Sequence, residues 1–73
     1  MIEVRLFATL REGRGKVQHL DAASISVAGD IIRQLGIPIE EVAILLINGF
    51  HQKPETEVKD GDIVSLFPAV GGG

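Results

Sequence analysis

The chain has 73 residues, 45% of them hydrophobic, and ten acids against seven Lys and Arg give a net charge of -3. That length holds one small core rather than two, the hydrophobic fraction excludes a disordered chain, and mild acidity argues against nucleic-acid binding, which leaves a basic footprint. Cysteine is absent and His19 and His51 are the only histidines, so no disulfide, thiolate nucleophile or protein-only metal site is expected.

Ile2, Val4 and Leu6 alternate with Glu3 and Arg5, which predicts a strand with one buried face. Phe7 then falls on the opposite face, with Glu3 and Arg5. Residues 11–15 form a polar, glycine-bearing turn, and residues 16–20 read as a second strand that pairs with the first as a hairpin. Ser26 suits the N-cap of a helix, its hydroxyl accepting a free backbone N–H of the first turn. Val27, Ile31 and Leu35 repeat at helical spacing, and Ile32 widens the stripe. Asp30 early and Arg33 late agree with the helix dipole. Gly36 is placed for the left-handed turn that ends a helix, and Pro38 prevents its resumption. Gly29 inside the helix predicts close packing of helix on sheet.

Residues 43–47 are an uninterrupted apolar run, the pattern of a strand covered on much of both faces. Asn48-Gly49 is a strong hairpin signal, because both residues accept positive φ. A return strand over 50–53 is stopped by Pro54. Residues 59–62 form a second turn, and residues 63–67 a last strand broken by Pro68. The order ββαβ(β)β with one main helix on one face of a mixed sheet is a two-layer α+β domain, the β-grasp, ubiquitin-like roll. The last strand should lie centrally, beside the first. Ile2, Val4 and Leu6 then share a face with Val64 and Leu66. Phe7 and Phe67 point to the other side, near the exit of the tail, with Arg11 close by. The division expected is a domain over 1–68 and a flexible glycine tail over 69–73.

Charge is uneven. Residues 1–16 carry four bases and two acids, a net of +2, and the remainder three bases and eight acids, a net of -5. The chain opens directly into its first strand pattern and its longest apolar run, residues 42–47, is far too short to span a bilayer, so a cytoplasmic protein without a membrane partner is expected. Gly13-Arg14-Gly15-Lys16 lacks the spacing and the following helix of a phosphate-binding loop. His51, just after a hairpin turn, is expected in solvent.

Three glycines end the sequence. Taken alone, they suit a frayed terminus equally well. They follow a strand ended by Pro68, however, and without Cβ atoms an extended glycine tail can thread a narrow channel. Residues 68–73 would span about 20 Å. A carboxylate on Gly73 could be activated by ATP as an acyl-adenylate, and a sulfur nucleophile could displace AMP to leave a thiocarboxylate. This chemistry needs no catalytic group from the small protein.

The segments Ile2-Glu3-Val4-Arg5-Leu6-Phe7-Ala8 and Leu10-Arg11-Glu12, the middle pairs Ser26-Val27 and Leu35-Gly36 with Ile47-Asn48-Gly49, and above all Asp60-Gly61-Asp62-Ile63-Val64 with Phe67-Pro68-Ala69-Val70-Gly71-Gly72-Gly73 resemble the MoaD/ThiS family of sulfur-carrier proteins over the whole length. The MoaD branch, the small subunit of molybdopterin synthase, is the nearer. Ala69 stands where that branch has a second proline, and the stretch between helix and Asn-Gly hairpin is shorter. The resemblance implies a carrier that is not itself an enzyme. Gly73, preceded by Gly72, would be adenylated by an E1-like adenylyltransferase (MoeB-like) with ATP and magnesium, and the chain itself would bind no cofactor. A sulfur donor protein bearing a persulfide would supply the sulfur. The tail would enter the large subunit of molybdopterin synthase (MoaE-like) and sulfurate precursor Z. Phe7, Arg11, Phe67, Pro68, Val70 and Gly71 would form the partner-binding surface. A ThiS-like carrier for thiamine thiazole synthesis, and a ubiquitin-like modifier joined through Gly73 to lysines, are the alternatives.

Overall fold

A computed structural model describes residues 1–69. Five strands, β1 (Ile2–Leu6), β2 (Val17–Leu20), β3 (Val42–Ile47), β4 (Phe50–His51) and β5 (Ile63–Pro68), form one sheet in the order β2-β1-β5-β3-β4. Among the described residues a single α-helix, α1 (Ala28–Gln34), separates β2 from β3. β1 and β5 lie side by side and parallel at the centre, with Leu6 opposite Leu66. The remaining pairs are antiparallel.

Period-two alternation decides which side chains meet the helix. Ile2, Val4 and Leu6 of β1 and Val64 and Leu66 of β5 are fully buried on one face. Ile31, Ile32 and Ala28 of α1 close over them, with Leu10, Ile25, Ile37, Leu45, Ile47 and Val58 filling the margins. Each large aliphatic side chain removed from water here contributes about 1.5–3 kcal/mol.

The helix start differs from the expected one. Val27, not Ser26, is the N-cap, and it has no side-chain oxygen to offer. The Asp30 carboxylate takes over by accepting the N–H groups of Ser26 (2.9 Å) and Val27 (3.0 Å). Val27 accordingly leaves the buried stripe and Ala28 replaces it. At the other end the Gly36 N–H donates to Arg33 O and the Ile37 N–H to Ile32 O, both at 3.1 Å, with Gly36 at φ +71°. This is the expected left-handed glycine termination. Gly29 approaches a loop rather than the sheet: its N–H donates to Pro54 O at 2.8 Å, and an added Cβ would lie 3.4 Å from that oxygen.

Asn48 (φ +52°) and Gly49 (φ +86°) make the β3–β4 turn as expected, but the return strand stops at His51. Two further expectations fail in β3 and β5. β3 is not covered on both faces, since Ala43 and Ile44 are exposed. Pro68 does not break β5 but is its last residue, paired with Val42. The register shifts between Val42 and Ile44, so that Ile44 meets Phe67 and Ala43 is an extra residue. A bulge is where a sheet accommodates a proline without an N–H.

Candidate functional site

Because β1 and β5 run parallel and in register, the residues that follow Leu6 and Leu66 emerge side by side. These are Phe7 and Phe67, on the face away from α1. Their rings stack with centroids 4.2 Å apart and planes within 9°. The Phe7 N–H also donates to Leu66 O at 3.2 Å, fixing the two strand ends together. Arg11 reaches back over this pair. Its Nε donates to Leu6 O at 2.8 Å and its guanidinium carbon sits 5.3 Å from the Phe7 ring centre, close enough for cation–π attraction.

Beside the stack lies an apolar cavity of about 290 Å³ lined by Phe7, Ala8, Thr9, Ile44, Phe67, Pro68 and Ala69. Three local features shape it. The β3 bulge turns Ile44 toward Phe67, leaving it 38% exposed. Ala8 takes a left-handed conformation, φ +52°, and turns the chain out of β1 into a 3-10 turn, Ala8–Arg11, whose Leu10 is buried. Pro68 and Ala69 form the remaining wall, so the cavity stands at the root of the residues 70–73.

The structure thus brings together Phe7, Arg11, Phe67 and Pro68. Val70, Gly71, Gly72 and Gly73 lie outside the described residues. Ile44, Ala8 and Thr9 complete the cavity although the sequence did not single them out. Ile44 sits in a run of similar apolar residues, and only the bulge distinguishes it. Farther along the same sheet face Glu3 accepts Arg5 Nε at 2.6 Å and lies 3.8 Å from His19 Nε2. The Arg5 hydrogen bond is the main reason the Glu3 carboxyl is held below its usual range. His51 is exposed as expected. Among the described residues no cluster of three or more His, Asp or Glu side chains is arranged to hold a metal, and no helix is long and apolar enough to cross a membrane.

A parallel pair of central strands, one helix across one face and an apolar cavity where the last strand ends define a ubiquitin-like, β-grasp protein. The chain belongs to the ThiS family, whose profile matches residues 4–73, and so to a group of small, non-catalytic sulfur carriers and ubiquitin-like modifiers. It is 32% identical to small archaeal modifier protein 3 of Haloferax volcanii, over 99% of this chain and 98% of that one. The crystal structure of SAMP1 from Haloferax volcanii superposes with a TM-score of 0.76 at 24% identity, covering 99% of this chain and 98% of that one. A chain of the Helicobacter pylori complex of molybdopterin-converting factor subunits 1 and 2 matches with a TM-score of 0.64 at 26% identity, covering 99% and 97%.

Proposed function

We propose that this chain is a sulfur carrier for molybdopterin synthesis, with Gly73 as the reacting residue. An E1-like adenylyltransferase docks on the cavity of Phe7, Ile44 and Phe67 and draws the glycine tail into its active site. The Gly73 carboxylate attacks the α-phosphate of magnesium-bound ATP, releasing pyrophosphate and forming an acyl-adenylate. The persulfide sulfur of a donor protein then attacks the acyl carbon and AMP leaves. A thiol reductant cleaves the resulting acyl disulfide, and the thiocarboxylate remains. The large subunit of molybdopterin synthase takes the tail in turn, and sulfur passes to the pterin precursor.

The observation that carries this reading is the apolar cavity at the root of the tail. It offers an anchor for a partner a few residues from the reacting carbon, while no cluster of His, Asp and Glu is arranged to hold a metal among the described residues. The kinship with a subunit seen in a two-subunit molybdopterin-converting factor favours the molybdopterin branch. The test is reconstitution. Thiocarboxylated protein labelled with radioactive sulfur is mixed with the large synthase subunit and the pterin precursor. Label in a dithiolene pterin supports the reading, and label that moves only into a thiazole under the corresponding conditions rejects it.

A second reading has its own support in the similarity to small archaeal modifier protein 3. There the same activated Gly73 is attacked by a lysine amine, giving an isopeptide bond and free AMP. Gly73-bearing branched peptides from target proteins are its signature.

A further inference from the structure

β1 and the segment that joins it to β2 carry four of the chain's bases, Arg5 in the strand and Arg11, Arg14 and Lys16 after it. They are not equivalent. Arg14 is half-buried, and its guanidinium is turned to backbone carbonyls. Nε donates to Leu35 O at 3.0 Å, and the terminal nitrogens lie 3.4 Å from Gly36 O, 3.3 Å from Leu10 O and 3.5 Å from Glu12 O. Leu35 and Gly36 end α1, where carbonyls have no intrahelical partner and negative partial charge collects. Leu10 and Glu12 belong to the turn that walls the cavity.

One side chain therefore ties the end of the helix to that turn. The link continues without a gap. The Leu10 N–H donates to Phe7 O at 3.1 Å, and the N–H groups of Arg14 and Gly15 donate to Arg11 O at 2.9 and 2.8 Å. Arg11 in turn holds Leu6 O and covers Phe7. Ala8 and Thr9, the cavity wall, hang between these fixed points with Ala8 in a left-handed conformation that an alanine resists. Only a planar fork with several donors reaches carbonyls on both elements at once; a lysine ammonium is a point charge with no such fork.

The geometry points to Arg14 as a positioning residue for the docking cavity: by joining the C-terminal end of α1 to the turn over residues 8–11, it holds the Ala8–Thr9 wall in the shape a partner meets. The consequence for docking rests on the carrier reading above, whereas the positioning itself does not. The test compares the full chain with Arg14→Lys and Arg14→Gln. Amide hydrogen exchange at 10 °C below the lower melting point reports the positioning without any partner. Exchange in residues 8–12 should quicken by about tenfold or more while Val4 and Val64 amides hold within about twofold. Pyrophosphate exchange with the E1-like adenylyltransferase and magnesium-ATP reports the docking. KM for the carrier should rise about tenfold with kcat unchanged, the mark of lost binding rather than lost chemistry. Faster exchange spread evenly over the sheet overturns the positioning claim. Loosening confined to residues 8–12 with unchanged KM overturns the docking claim. Absence of any exchange reaction with the unsubstituted chain counts against the carrier reading and leaves the amide result to decide the positioning.

Discussion

Replacing Phe7 by Ala removes one half of the aromatic stack and one wall of the cavity, and the structure sets both costs. A fully buried Phe→Ala change costs about 3–5 kcal/mol. Phe7 is half-buried, and its stacked partner at 4.2 Å accounts for about 1 kcal/mol of what it contributes. The expected loss of stability is about 2 kcal/mol, or roughly 8–16 °C in melting temperature for a domain of this size. The variant should remain folded at 25 °C, which its thermal melt checks before the titration. A ring in the centre of a docking patch contributes about 1–3 kcal/mol to binding, so calorimetric titration with the E1-like adenylyltransferase should show Kd raised about 5- to 150-fold. Phe50 is the control. It is 71% exposed and lies at the other end of the sheet, opposite Ile47, which pairs with the start of β5. Phe50→Ala should leave Kd within about twofold. Equal losses for the two variants, or an unchanged Kd for Phe7→Ala, would refute the assignment of the cavity as the docking surface.

Gly49 sits at φ +86° with open space around it, so Gly49→Val should cost about 1–3 kcal/mol through backbone strain alone while sulfur loading at low temperature persists; loss of loading at undiminished stability would place this turn in the chemistry. Gly29→Ala should be neutral or raise stability in urea by up to about 1 kcal/mol of helix propensity, because its Cβ would only touch Pro54; a net loss of stability would show that the loop cannot yield. Asp30 has its carboxyl held below the ordinary 3.8, chiefly by the Val27 N–H and then by the Ser26 N–H and Arg33. A carboxyl lowered by folding stabilises above its unfolded pKa, and that contribution is lost as pH falls through the folded value. Asp30→Asn should therefore be less stable than the parent in urea at neutral pH, with the gap closing below pH 3.8. A gap that is constant with pH would contradict the hydrogen-bonding account.

Much of this fold was written locally. The alternation in β1 named the buried face, the Asn48-Gly49 and Gly36 signals placed their turns, and a parallel central pair put Phe7 beside Phe67. The misreadings share a physical cause, in that a tertiary partner outweighed a local preference. Ser26 is a good cap by type, but the Asp30 carboxylate reaches two backbone N–H groups and makes Val27 the boundary. Residues 43–47 read as doubly covered because a continuous apolar run has no period, and the bulge that exposes Ile44 leaves no mark in the sequence. Pro68 reads as a stop, yet it ends a strand beside that bulge. In the sequence Arg14 is one charge among residues 1–16 and part of a Gly-Arg-Gly-Lys run without phosphate-loop spacing. Its role depends on carbonyls more than twenty residues away at the end of α1.

The central claim is that the carboxylate of Gly73 is the reacting group and that its position along the chain is decisive. Removing Gly72 and Gly73 withdraws the carboxylate by roughly 7 Å, whereas attack on the α-phosphate requires approach within about 3–3.5 Å. Intact-mass spectrometry after incubation with the E1-like adenylyltransferase, magnesium-ATP, the sulfur donor and a thiol reductant tests it directly. The full chain should gain about 16 Da, the change from –COOH to –COSH. The two-residue deletion should gain nothing and melt within about 0.5 kcal/mol of the parent. A deletion variant that takes up sulfur at the parent's rate would contradict the account.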